Sequence, residues 1–222
     1  MGQFISLAPA GTTPIQAWRA DPAGTPRGGV VVIQEIFGVN GHIRSVADRF
    51  AEQGYLAIAP ALFDSIQSGI ELNYTPDDIK TGSAYVQQLD MAGVLAGVQA
   101  AHRVASEAGK VGVVGFCWGG TVAWLSACQL SGYAAAVGYY GGGIAKALDR
   151  QPRVPVLLHF GEKDNGIPLE SVDTIRAAHT DVEIHTYDAG HGFNCDARGA
   201  YDATAASAAM HRTLAFLAQH IG

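Results

Sequence analysis

Short apolar runs alternate along the chain with longer segments whose apolar residues recur at helical spacing. The run at 29–34, GVVVIQ, is continuous and β-branched, as is typical of a strand buried on both faces. The segment 41–53 follows with its apolar residues on one side of a helix, and Gly54 ends it. A strand followed by a helix is thus the first unit that the pattern predicts.

The same alternation continues to the end of the chain and predicts a mostly parallel sheet covered by helices on both faces. An antiparallel hairpin at one edge is compatible with the pattern near the N-terminus, and the polar segment between two of the units is typical of a loop that walls a pocket. The further predicted strands are 55–60, 110–116, 133–139, 154–160 and 182–187. The further predicted helices are 78–107 (one long helix or a broken pair), 118–130, 168–178 and 203–219. The edge hairpin would pair 3–7 with 14–19, and the loop would cover 61–77.

Composition narrows the class of protein. The chain has 222 residues, 48% hydrophobic and 15% charged, which suits one domain over 1–222. The net charge of -6 argues against nucleic acid or an anionic membrane as partner. The start of the chain lacks a signal-peptide pattern, and no apolar run reaches the roughly 20 residues that span a bilayer. Three cysteines cannot all pair, so we expect a reduced, cytoplasmic protein.

A glycine-rich turn follows the predicted strand 110–116. Residues 115–120 read GFCWGG, the G-x-C-x-G-G form of a nucleophile elbow with cysteine in place of serine. The turn is tight enough that a Cβ at the flanking glycines would clash. The helix that begins after Cys117 favours its thiolate, and the N–H of Trp118 becomes an oxyanion donor. The alternative is a buried structural cysteine, which most free cysteines are.

A histidine and a carboxylate complete the pattern. His191 lies on a glycine-flanked loop after strand 182–187, where an α/β-hydrolase carries its histidine. Asp164 lies at the end of an earlier strand and could fix the histidine tautomer, with Glu162 as its closest rival. The other histidines are interpreted as surface, capping or core residues: His42, His102, His159, His179, His185, His211 and His220.

Glu35 closes the strand 29–34 and opens a loop that normally supplies the second oxyanion N–H, here that of Ile36. A carboxylate beside the site needs a partner, because burying an unpaired charge is costly. Either Glu35 caps the helix at 41 or pairs with an arginine, or it meets the thiol of Cys117. The sequence shows no metal-ligand spacing, no C-x-x-C pair and no phosphate-binding loop, so we predict neither metal nor cofactor.

The chain resembles the dienelactone hydrolase family over nearly its whole length. The motifs that carry the resemblance are QEIFGVN at 34–40, GFCWGG at 115–120, AVGYYG at 136–141 and AGHGF at 189–193. The resemblance implies an α/β-hydrolase fold without a large lid, a monomer, and the triad Cys117, Asp164 and His191 with oxyanion donors Ile36 and Trp118. It also implies that Glu35 holds the resting thiol until substrate swings the thiol toward the histidine.

The chain departs from that family where two arginines grip the substrate carboxylate. One arginine position, four residues before a tyrosine that matches Tyr85, holds Thr81, and the other, four residues after the histidine, holds Cys195. Lys80 and Arg198 are the nearby cations that could replace them. We expect weak activity on carboxylate-bearing dienelactone and a preference for neutral esters or lactones. The predicted substrate-binding residues are Phe37, Tyr85, Phe193 and Arg198.

The predicted function is hydrolysis of an activated ester or lactone through a thioester acyl-enzyme on Cys117. One alternative is a thioesterase or a general small-ester esterase. Another is a non-catalytic redox-sensing protein, in which Cys195, near His191 in sequence, resolves a sulfenic acid formed at Cys117.

Overall fold

The computed structural model describes residues 2–222, which form an eight-stranded sheet with helices on both faces. The strands are β1 (Gln3–Leu7), β2 (Ile15–Ala20), β3 (Gly29–Ile33), β4 (Leu56–Pro60), β5 (Val111–Phe116), β6 (Tyr133–Tyr139), β7 (Val156–Gly161) and β8 (Glu183–Tyr187). The α-helices are α1 (Gly41–Glu52), α2 (Pro76–Gln88), α3 (Met91–Ala105), α4 (Trp118–Gln129), α5 (Leu169–Ala178) and α6 (Ala203–His220). Short 3-10 helices lie at Leu62–Ser65, Ser106–Ala108 and Ile144–Lys146.

The strands lie in the order β1-β2-β4-β3-β5-β6-β7-β8. β2 runs antiparallel to β1 and β4, and every other pair is parallel, so the predicted edge hairpin and parallel sheet are both present. The fold is that of an α/β-hydrolase, as predicted. All residues of β3, β4 and β5 are buried, which is why their apolar runs are continuous rather than alternating.

The region predicted as one long helix or a broken pair at 78–107 is a pair. Asp90 separates α2 from α3, and its side chain accepts a hydrogen bond from the N–H of Gly93 at 3.1 Å. α2 begins two residues earlier than predicted, because Thr75 and Asp78 form a reciprocal capping box and Pro76 fits the first helical turn. Within residues 2–222, no helix has the length and apolar character needed to cross a membrane.

Candidate active site

Cys117 occupies a strained turn between β5 and α4. Its φ of 56° and ψ of -119° lie outside the usual regions for residues with a side chain. A Cβ on Gly115 would overlap the carbonyl of Gly119, and a Cβ on Gly119 would overlap that of Gln34. The backbone N–H of Cys117 donates to the carbonyl of Tyr139 at 3.0 Å, which ties the turn to β6. The glycines of the elbow are therefore required by close backbone approach, as the sequence predicted.

The three residues of the predicted triad form one hydrogen-bonded chain. Nε2 of His191 lies 3.1 Å from Sγ of Cys117, and Nδ1 lies 2.6 Å from Oδ2 of Asp164. Asp164 is buried and also accepts from the N–H of Gly166. Burial would lower the pKa of His191, but hydrogen bonds to Asp164 and Cys117 outweigh it and raise that pKa to about 10. The arrangement therefore favours a protonated imidazole beside the sulfur.

Glu162 and His159, which could have competed for the roles of the triad acid and base, form hydrogen bonds outside the triad. Glu162 is exposed and accepts a hydrogen bond from the hydroxyl of Thr186 at 2.8 Å. His159 is fully buried, with its ring nitrogens 2.8 Å from the hydroxyl of Tyr187 and 3.1 Å from that of Thr213. His159 is thus a satisfied core histidine, as predicted.

Glu35 is fully buried, and Arg198 is its hydrogen-bonded partner. Nη1 of Arg198 donates to Oε1 of Glu35 at 3.3 Å, and the guanidinium lies 5.7 Å from the ring centroids of both Phe37 and Tyr74. Burial raises the pKa of Glu35, and the charges of Arg198 and His191 oppose that rise. Of the alternatives left open, the structure shows pairing with an arginine. The contact with the Cys117 thiol that the family resemblance implies is not among the hydrogen bonds of residues 2–222.

The two segments predicted to supply the oxyanion donors lie side by side. Trp118 begins α4, and Ile36 follows β3. Gly119 approaches the carbonyls of Ile33 and Gln34 so closely that no Cβ fits between them. The backbone around Ile36 and the start of α4 are thus in direct contact.

A cavity of about 720 Å³ opens over the triad. Cys117, Asp164 and His191 line it. Among the described residues that line it, Lys163 is the one lysine, and there is no arginine. Nζ of Lys163 forms an ion pair with Oδ1 of Asp188 at 2.7 Å. The cavity therefore offers a substrate carboxylate no unpaired cation from those residues.

The predicted substrate-binding residues lie outside the lining of this cavity. Phe37 and Phe193 are almost completely buried, at 1% and 0% exposure. Tyr85 is half-buried and packs on Phe63, with ring centroids 5.6 Å apart. The side chain of Arg198 is 17% exposed and is committed to Glu35.

Lys80 and Arg198, the two cations that could replace the missing arginine pair, lie in very different surroundings. The side chain of Lys80 is 78% exposed and pairs with Asp77 on its own helix. The hydroxyl of Thr81 donates to the carbonyl of Asp77 at 2.9 Å. Arg198, in contrast, reaches the buried carboxylate of Glu35 through a loop path that sequence spacing does not show.

Two aromatic residues of the site were missed by sequence analysis. Tyr140 has a φ of 39°, is fully buried, and places its ring 5.0 Å from that of His191. Phe63 lies between Tyr85 and Trp118, whose ring centroid is 6.0 Å away. The apolar pair Leu62-Phe63, directly after a predicted buried strand, was the available signal for Phe63.

Comparison with known proteins shows the family to which the chain belongs. The model of the dienelactone hydrolase family matches residues 15–221. A carboxymethylenebutenolidase of Pseudomonas putida is 38% identical over 210 residues, covering 89% of this chain and 88% of the relative. A crystal structure from Klebsiella pneumoniae, provisionally named a dienelactone hydrolase, has a TM-score of 0.87 and 33% identity, with 99% of each chain covered. The chain belongs to the dienelactone hydrolase family.

A more distant structure shows the same fold. A dienelactone hydrolase-like promiscuous phosphotriesterase from metagenomic libraries has a TM-score of 0.82 at 23% identity, covering 100% of this chain and 99% of the other. With the family established, the protein is a carboxylic ester hydrolase.

Proposed function

We propose that the protein hydrolyses neutral, activated esters or lactones, with Cys117 as nucleophile in a triad with His191 and Asp164. The observation that carries this proposal is the hydrogen-bonded chain from Asp164 through His191 to Sγ of Cys117, at 2.6 and 3.1 Å. The strained elbow supports it, because a residue held in a costly conformation at the mouth of a cavity is typical of a nucleophile.

In the first half of the reaction, the thiolate of Cys117 attacks the carbonyl carbon and forms a carbon–sulfur bond. The developing oxyanion is stabilised by the N–H groups of Ile36 and Trp118. The intermediate then collapses, the carbon–oxygen bond breaks, and the alkoxide or enolate takes the proton of the His191 imidazolium, directly or through a water, which leaves His191 neutral. The product that remains on the enzyme is a thioester.

In the second half, neutral His191 takes a proton from water, and the resulting hydroxide attacks the thioester carbonyl. The thiolate leaves, the acid product dissociates, and the enzyme returns to its starting state. Asp164 holds the imidazole by its Nδ1–H throughout, so Nε2 always faces the sulfur and the water. A good leaving group suits this route, because a thiolate is itself easily expelled from the intermediate.

The charges around the cavity support a neutral substrate. Arg198 is paired with Glu35, and Lys163 is paired with Asp188. A carboxylate-bearing substrate would need a bidentate partner that neither Thr81 nor Cys195 supplies. An arginine introduced at Cys195 would not restore the clamp cleanly, since that position is fully buried and would be overpacked.

The redox-sensing alternative finds little support. Cys195 is fully buried, and burial first and the charge of Glu35 second raise the pKa of its thiol to about 11. A thiol that keeps its proton resolves a sulfenic acid slowly. The thioesterase alternative shares the triad and differs only in leaving group.

The test compares kcat/KM for dienelactone with kcat/KM for neutral esters, lactones and thioesters of equal leaving-group quality. We expect the neutral oxygen esters or lactones to be hydrolysed at least tenfold more efficiently than dienelactone, in line with the loss of a charge-assisted contact. Cys117→Ala serves as the blank. Dienelactone hydrolysis near 10⁴ M⁻¹s⁻¹ or above, about the rate of an ordinary native substrate, would contradict the proposed substrate class.

A further inference from the structure

Three potential metal ligands converge outside the Cys117–His191–Asp164 chain. One ligand atom from each of Glu35, His42 and Cys195 lies within 4.8 Å of the other two. All three residues are buried, at 0%, 6% and 0% exposure respectively. They come from the loop after β3, the first turn of α1 and the loop after β8, so their sequence spacing shows no metal-binding motif.

Two of these residues carry a buried polar atom without a hydrogen-bond partner among residues 2–222. Oε2 of Glu35 is one: Oε1 of the same carboxylate is bonded to Arg198, and the hydroxyl of Tyr74, which accepts from Nδ2 of Asn40 at 3.1 Å, lies near both Glu35 and Cys195. Nε2 of His42 is the other, although Nδ1 of the same ring is bonded to Asp196. Buried polar atoms without partners are rare, because each costs about 1–3 kcal/mol in lost solvation. Here both belong to one cluster, and a single bound cation would satisfy both.

The contacts of His42 prepare it as a ligand. Oδ1 of Asp196 lies 3.1 Å from Nδ1 of His42, and Oδ2 of the same carboxylate lies 3.2 Å from Nη1 of Arg49. A carboxylate that accepts from Nδ1–H leaves the lone pair on Nε2, which is the ring nitrogen without a hydrogen-bond partner among the described residues. A carboxylate, a histidine and then a metal is the recurrent order in zinc sites.

We infer that Glu35, His42 and Cys195 form a binding site for one divalent cation of the zinc type. A set of one thiolate, one imidazole and one carboxylate suits Zn²⁺ or Co²⁺, whereas Mg²⁺ and Ca²⁺ prefer oxygen ligands alone. Coordination exchanges the thiol proton of Cys195 for the cation, and the proton leaves to the buffer. A surface depression of about 600 Å³, whose lining includes Asn40, His42 and Tyr74, borders the cluster on one side.

The site goes beyond ester hydrolysis but adjoins it through Glu35. A cation on Oε2 would fix the carboxylate between the metal and Arg198, and would neutralise its charge near the thiol of Cys117. Metal occupancy would thus act on the residue that the family resemblance names as the modulator of the thiol.

The test is titration of the reduced, chelator-treated protein with Co²⁺, in the Cys117→Ala background. This background is needed because Cys117 and His191, 3.1 Å apart, could also bind the ion. We expect one equivalent of Co²⁺ and a thiolate-to-cobalt charge-transfer band in the near ultraviolet. The band should persist in Cys117→Ala/Cys128→Ser, the matched control with another buried cysteine, and be lost in Cys117→Ala/Cys195→Ser.

A second variant tests the contact that orients His42. Asp196→Asn, at a half-exposed side chain, should weaken Co²⁺ and Zn²⁺ binding by about 10-fold or more. Circular dichroism checks that each variant is folded, and His42→Asn replaces Cys195→Ser if the latter unfolds. Absence of the band in Cys117→Ala would overturn the inference. So would an unchanged band or an unchanged affinity after loss of Cys195 or His42.

Discussion

Among single residues, Glu35 is a fully buried carboxylate that lies beside the triad. Its carboxylate is fully buried, and burial raises its pKa while the charges of Arg198 and His191 act in the opposite direction. Arg198 rather than Cys117 is its hydrogen-bonded partner, and Sγ of Cys117 forms its hydrogen bond with His191 instead. Any influence of Glu35 on the thiol in this arrangement would therefore be exerted through its charge rather than through a hydrogen bond.

Replacing Glu35 by Gln should speed the alkylation of Cys117 by iodoacetamide at neutral pH. The amide preserves the shape of the side chain but removes a negative charge that disfavours the thiolate, and it leaves the charge of Arg198 uncompensated. The rate is followed by mass spectrometry of the Cys117 peptide, with Glu162→Gln as the matched control at an exposed carboxylate. A rate that is unchanged or slower in Glu35→Gln would leave Glu35 with a structural role only.

At the scale of elements, the break between α2 and α3 illustrates what the sequence could and could not specify. The helical spacing over 78–107 was visible, but spacing alone did not choose between one helix and two. The decisive features are local: Asp90 has an extended backbone and caps α3, while Thr75 and Asp78 cap α2. Caps depend on the backbone angles of one residue, which hydrophobic periodicity does not report.

Asp90→Ala should lower the free energy of unfolding by about 1 kcal/mol, because the first turn of α3 loses the acceptor for the N–H of Gly93. Asp90→Asn, which keeps an acceptor oxygen, should cost only a small fraction of that. Urea denaturation measures both variants against the parent protein. Equal destabilisation by Ala and Asn would show that the cap does not account for the boundary.

At the scale of the whole molecule, the sheet brings distant residues to one edge. Glu35, Cys117, Asp164 and His191 follow β3, β5, β7 and β8, whose carboxyl ends meet there because the strands are parallel. Chain order and position after a strand were therefore enough to predict that these four would gather. This is the part of the site that topology determines.

Contacts between loops were not accessible in the same way. The pairing of Arg198 with Glu35, the ring of Tyr140 against His191, and the approach of His42 to Cys195 all join segments far apart in sequence. Each depends on the path of a loop and on side-chain rotamers, neither of which leaves a periodic signal. The four residues proposed as substrate contacts do not line the cavity over the triad, and sequence could not show this, since a position next to a motif does not tell which way a side chain points.

The most direct test of the central claim is detection of an acyl group on Cys117. A neutral activated ester is mixed with the enzyme, the reaction is quenched in acid within the first turnovers, and the peptides are analysed by mass spectrometry. We predict an acyl mass on the Cys117 peptide that hydroxylamine removes, as expected for a thioester, with none on the peptides of Cys128 or Cys195. Cys117→Ala should show no acyl group and a kcat lower by about 10⁴-fold or more. Turnover of the same ester by Cys117→Ala at more than a few per cent of the parent rate, or an acyl group on another residue, would contradict the account.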